Sequence, residues 1–179
     1  MEFHPDALRT NRKRVWIAAL LIAAILATML AIFLFSAESP SESGDRSRSV
    51  TITIARILYP DFDGMSRAEQ ARIVDDMHLA VRKGAHFTVY TLLGGLAMTA
   101  LAVLLASRAR SAGWMLCLSG LAAVFGLAYA ISDEVHQKFV GRGASPWDVC
   151  IDFAGVLFGI LIARGITHVV RRAKGEGST

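Results

Sequence analysis

The feature that most constrains this chain is Val15 to Phe35, 21 consecutive residues without a charge and rich in Ala, Leu and Ile. About 20 apolar residues in helical form cross a bilayer, and in lipid every backbone N–H and C=O must be satisfied within the segment. A secretory signal's apolar region is about 7–15 residues, so the run reads as an uncleaved transmembrane helix. Three further apolar stretches follow, giving spans at about 15–35, 84–107, 112–132 and 148–168. With 54% hydrophobic residues in 179, one integral membrane domain is the bounded answer. The expected fold is all-α: a four-helix transmembrane bundle (residues 15–170) with a short amphipathic extracytoplasmic helix, flanked by tails at 1–14 and 171–179.

The one sizeable connection is 36–83. Its first half, SAESPSESGDRSRS, is Ser-rich and charged and reads as a loosely packed loop. Pro60 and Asp63-Gly64 mark a turn. Ser66-Arg67-Ala68-Glu69 has capping-box spacing, in which the Ser side chain accepts from the Glu backbone N–H and the Glu side chain reaches back. Ile73, Val74, Met77, Ala80 and Val81 then fall on one side, which predicts a separate surface helix ahead of the second span.

Charge sets the expected orientation. The tails and the loop near Arg108 carry Arg9, Arg12, Lys13, Arg14, Arg108, Arg110, Arg164, Arg171, Arg172 and Lys174 against Glu2, Asp6 and Glu176. The other side keeps the remaining nine of 19 basic residues and twelve of 15 acidic ones. Short basic segments stay in the cytoplasm, so a multi-pass cell-membrane protein with both termini cytoplasmic is expected. The net charge of +4 is thus explained by tails at a membrane surface, and no nucleic-acid partner is expected. Cys117 and Cys150 fit neither a disulfide framework nor a zinc site, and are expected to stay unpaired.

Between the third and fourth runs lies YAISDEVHQKFVGRGASPWDVCID, Tyr129 to Asp152. Tyr129, Asp133 and His136 or Gln137 stand three or four residues apart and share a helix face, as do Arg82, His86 and Tyr90 on the second span. Charges near membrane depth are costly and usually face a polar interior. The candidate ligand-binding residues are therefore Arg82, Lys83, His86, Tyr90, Asp133, Glu134, His136, Gln137, Arg142, Asp148 and Asp152. Arg and Lys suit phosphate or carboxylate, and carboxylates suit sugar hydroxyls or amines. A structural pairing of Arg82 with Asp133 and of His86 with Asp152 competes with that reading. For acid–base chemistry the candidates are His136, Asp133 and Asp148. Asp133-x-x-His136 with His86 has ligand spacing, but so short a motif is common by chance, and neither a metal nor another cofactor is assigned. Gly155 and Gly159 offer a small-residue face for close helix packing.

RKGAHFTVYTLLGGL (Arg82–Leu96), AYAISDEVHQKFVGRGASPWDVCIDFAGVLFGIL (Ala128–Leu161) and the Ser-rich FSAESPSESGDRSRSV after the first span resemble the VanZ family of small bacterial membrane proteins. The combination of Arg-Lys-x-x-His-Phe with Ser-Asp-Glu-x-His-Gln and a later Gly-Arg…Asp is the most specific part. The family's namesake is associated with resistance to teicoplanin, a glycopeptide that binds cell-wall precursors outside the membrane. The resemblance implies a cell-envelope setting, with the lipid bilayer and a cell-wall precursor or glycopeptide-related ligand as partners. The expected function is extracytoplasmic binding of such a ligand; the alternative is a membrane enzyme acting on lipid-linked envelope substrates.

Overall fold

The structure is a computed structural model that describes residues 5–105, 111–143 and 145–173, with side chains described from residue 12 onward except at 112. Its helices are α1 (Pro5–Ser36), α2 (Pro40–Leu58), α3 (Arg67–Leu104), α4 (Ala112–Phe139) and α5 (Pro146–Ala173). No strand occurs among the described residues. α1, α3, α4 and α5 are long and apolar enough to cross a membrane, and together they form a helical membrane bundle. Large apolar side chains such as Leu20, Leu26, Val124 and Leu161 stay exposed on its flanks, as expected where lipid replaces water.

The middle helix is α3, which touches all four others. Its closest partner is α5, and glycines make the approach possible. A Cβ on Gly94 would overlap the backbone of Val156; one on Gly155 would overlap the Phe87 carbonyl, and one on Gly159 the Thr91 carbonyl. The small-residue face expected at Gly155 and Gly159 is thus one half of a two-sided glycine seam, with Gly94 and Gly95 as the other half. Around it Leu93, Met98, Leu118, Ala122, Val156 and Ile160 form the buried core.

Two expectations for 36–83 are corrected. The Ser-rich segment is helical rather than loose, because Ser39 caps α2. Its hydroxyl accepts from the Glu42 backbone N–H, Glu42 accepts from the Ser39 N–H, and Pro40 occupies the first turn, where its missing donor costs nothing. Ser39's hydroxyl, then its backbone N–H, hold the Glu42 carboxyl below its ordinary value. The helix after Ser66 is also not a separate surface element. It starts at the expected Ser66–Glu69 capping box but continues without a break into the second span, giving α3 its 38 residues. The projecting first third of α3 packs against α2 through Ala55, Phe62 and Val74, with Arg48 donating to Asp75 at 2.8 Å. The turn expected near Pro60 and Asp63-Gly64 is a short 3-10 segment, Phe62–Gly64.

Candidate functional site

The polar residues converge where α1 and α4 end, α5 begins and α3 enters the bundle. α4 does not stop at the charged stretch; it carries Asp133, Glu134 and Gln137 inward before ending at Phe139. Gly141, at φ 79°, reverses the chain. The Arg142 N–H reaches the Gln137 carbonyl at 3.0 Å and the Gly141 N–H that of Lys138 at 3.3 Å, the paired bonds of a Schellman cap. The turn aims Arg142 back at α1, where its guanidinium donates to the Phe35 carbonyl at 2.8 Å, one of the orphan acceptors of that helix end. Pro146 opens α5, and the Ser145 N–H donates to Glu134, tying α4 to the start of α5.

The glycine seam sets the register of α3 on α5. Because Gly155 rides on Phe87, His86 comes to lie beside Asp152, with Nδ1 3.4 Å from Oδ1, and one turn away Lys83 reaches Asp148 at 3.2 Å. Asp152 is 1% exposed, and beyond the His86 ion pair neither of its oxygens accepts a normal hydrogen bond among the described residues. Asp133, also buried, accepts from Gln137 Nε2 at 3.0 Å, and Gln137 in turn contacts Ser36 on α1. Ligand atoms of His86, Asp133 and Asp152 all lie within 4.8 Å of one another. Tyr90, one turn along α3 from His86, buries a hydroxyl beside Asp133 and Asp152 that makes no hydrogen bond of normal length among the described residues.

Two cavities flank this cluster and share Arg82 and His86 as walls. The first, about 210 Å³, lies between α1, α2 and α3, and Ile32, Phe35, Val50 and Val89 give it an apolar body. Arg46, Arg82 and Arg142 bring three cations to it. Arg46 pairs with Glu38 and lies 4.8 Å over the Phe35 ring. Arg82 makes no hydrogen bond or ion pair among the described residues, so the competing pairing with Asp133 is not formed, whereas that of His86 with Asp152 is. Burial, and then the nearby charge of Arg82, push the Arg142 guanidinium below the ordinary arginine range. The second cavity, of similar volume, is polar, with Lys83, Gln137, Asp148 and Asp152 in its walls.

All eleven candidate residues lie at this end, and ten of them serve as cavity walls, cluster members or ties between helices. His136 faces elsewhere: it stacks on Phe33 of α1 at 4.6 Å, with Nδ1 buried and unpartnered. Asp152, not His136, completes the compact trio with His86 and Asp133. Tyr129 donates to the Met29 carbonyl at 2.6 Å and so fastens α4 to α1. Sequence reasoning missed Ser36, Glu38 and Arg46, because the segment around them was read as loop; the Ser39-Pro40-Ser41-Glu42 cap was the available signal. Cys117 and Cys150 are free thiols, as expected.

No curated protein and no solved structure gives a significant match to the chain. A family model described as VanZ/LLP1 does match, over residues 19–169, a range that takes in every residue of the polar cluster and both cavities, and the chain belongs to the VanZ/LLP1 family.

Proposed function

We propose that this end of the bundle faces out of the cytoplasm and binds an anionic, lipid-linked ligand of the cell envelope in the first cavity. The observation that carries the reading is an apolar cavity of about 210 Å³ edged by Arg46, Arg82 and Arg142. Arg142 feels the like charge of Arg82 as well as nearby carboxylates, and Arg82 makes no ion pair among the described residues. Such a pair is relieved by an anion, and guanidinium forks match phosphate oxygens two at a time. The apolar walls on α1 and α3 offer a place for an adjoining chain. Orientation rests on the basic residues at the opposite ends of α1 and α5, Arg12, Lys13, Arg14, Arg171 and Arg172. Holding a lipid-linked precursor here would put the protein in the layer where glycopeptides meet their targets, which fits the teicoplanin association of the family's namesake.

Binding of a polyprenyl monophosphate, set against the uncharged polyprenol, tests this in purified protein by native mass spectrometry. The phosphate form should be retained selectively, and Arg82→Gln with Arg46→Gln should abolish the selectivity. Equal retention of both lipids, or selectivity unchanged in the double variant, would refute the proposal.

A second reading, acid–base catalysis on the same ligand class, is favoured by one observation: His86 lies on the wall of both cavities with Asp152 behind it. It relies on His86 rather than His136, whose ring is stacked on Phe33. Turnover of the bound lipid that disappears in His86→Gln while binding persists would select it.

A further inference from the structure

The geometry points to a divalent-cation site formed by His86, Asp133 and Asp152, with Tyr90 at its edge. It does not rest on the lipid reading: His86 and Tyr90 also line the first cavity, but metal binding is measured without any lipid.

Two carboxylates buried to 5% and 1% exposure stand together where charge is expensive. A cluster of acids alone decides nothing, but three further observations distinguish this one. Both Asp152 oxygens are buried and accept no normal hydrogen bond among the described residues, Oδ1 having only the long His86 contact. His86 Nδ1 stands 3.4 Å from Asp152 Oδ1, an ion-pair distance longer than a normal hydrogen bond, and Asp152 Oδ2 has no partner among the described residues. Ligands about 2.0–2.1 Å from a tetrahedral ion stand about 3.4 Å apart, so the spacing is that of two atoms sharing a metal. The Tyr90 hydroxyl, in a residue 1% exposed, is likewise unpartnered and faces the same carboxylates. An ion between the three side chains satisfies these groups together, and its double charge offsets the two carboxylates.

The surroundings hold the ligands in place. Gln137 anchors Asp133 by the 3.0 Å bond, and Gly155 and Gly159 fix Asp152 against α3. Such supporting contacts orient a metal's ligands. The widest ligand separation, 4.8 Å, must close by about 1.4 Å for the three to share an ion. One imidazole with two carboxylates suits Zn²⁺ or Mn²⁺ better than Ca²⁺, which takes six to eight oxygens. Tyr90 is placed to hydrogen-bond a water on the ion or a ligating carboxylate oxygen.

The experiment uses purified full-length protein, stripped with chelator and titrated separately with Zn²⁺, Mn²⁺ and Ca²⁺ by calorimetry, with bound metal counted after desalting. One Zn²⁺ or Mn²⁺ per chain is expected, with Ca²⁺ weaker. Asp152→Asn removes a ligand but disturbs the packed seam, so His86→Gln, at a side chain 26% exposed, is the primary variant. It should lose stoichiometric metal, and Tyr90→Phe should weaken affinity about 10- to 100-fold, the range for supporting contacts. Both should keep wild-type helicity and elution, and His136→Gln should bind as wild type does. Should His86→Gln fail to fold, Tyr90→Phe decides. Absence of stoichiometric binding to the wild type, or affinity unchanged in a folded His86→Gln or Tyr90→Phe protein, would overturn the proposal, as would an equal loss in His136→Gln.

Discussion

The two flanks of α3 are built differently. Toward α5, glycines bring backbone against backbone until a methyl group has no room. Toward α1 and α2, the same helix borders a cavity of about 210 Å³ edged by arginines. The tight flank fixes side-chain positions to within a turn, which is how Lys83 and His86 come to face Asp148 and Asp152. The open flank packs through Ala55, Phe62 and Val74 at its far end but leaves a volume edged by charge between α1, α2 and α3. The contrast teaches a division of labour in which a rigid seam presents polar groups and a loose side leaves space for what they meet.

The largest effect should come from filling the seam. Gly159→Leu adds a side chain where even a Cβ overlaps the Thr91 carbonyl, and should cost about 3 kcal/mol or more, read as a fall in thermal stability of detergent-purified protein. Gly44→Ala on α2, where nothing lies within 4 Å, should change stability by less than about 1 kcal/mol. Similar costs at both positions would erase the distinction between the flanks. Next comes α2, the roof of the open side. Ser39→Ala removes its cap and should cost that helix about 1 kcal/mol, seen as faster hydrogen exchange in its first turns with the seam unaffected. Exchange rising equally along α5 would mean that the two flanks unfold as one. Tyr129→Phe, which frees the Met29 carbonyl, should cost about 0.6 kcal/mol, in line with interhelical hydrogen bonds in membranes. Smallest of all should be Arg82→Gln, because Arg82 makes no bond to lose; stability should stay within about 0.5 kcal/mol while anion selectivity falls.

The contrast also separates what was legible from what was not. The four apolar runs, the Gly155–Gly159 face and the Ser66 cap follow from length and spacing, and all are present in the structure. Gathering of polar residues at one end follows from the alternation of four spans. The identity of the trio does not. Asp133 has neighbours three and four residues on, and at 3.6 residues per turn the fourth is rotated by about 40° and the third by about 60° the other way. Spacing alone left His136 and Gln137 equivalent; the position of α1, set by tertiary packing, gives Gln137 to Asp133 and His136 to Phe33. The α2 helix was obscured because serines and charges have the composition of loops, even though Ser39, Pro40 and Glu42 carry a helix start. Continuity of α3 was hidden because an amphipathic stretch and an apolar span read as two elements, although no turn motif divides them and one helix carries both.

The most direct test of this division is an experimental structure of the protein in lipid nanodiscs with a polyprenyl monophosphate added. The account predicts phosphate density among Arg46, Arg82 and Arg142, with the adjoining chain running over Ile32 and Val89 between α1 and α3, and an unchanged α3–α5 seam. Lipid density confined to the outer faces of the bundle, with the arginine-edged cavity closed by its own side chains, would contradict it.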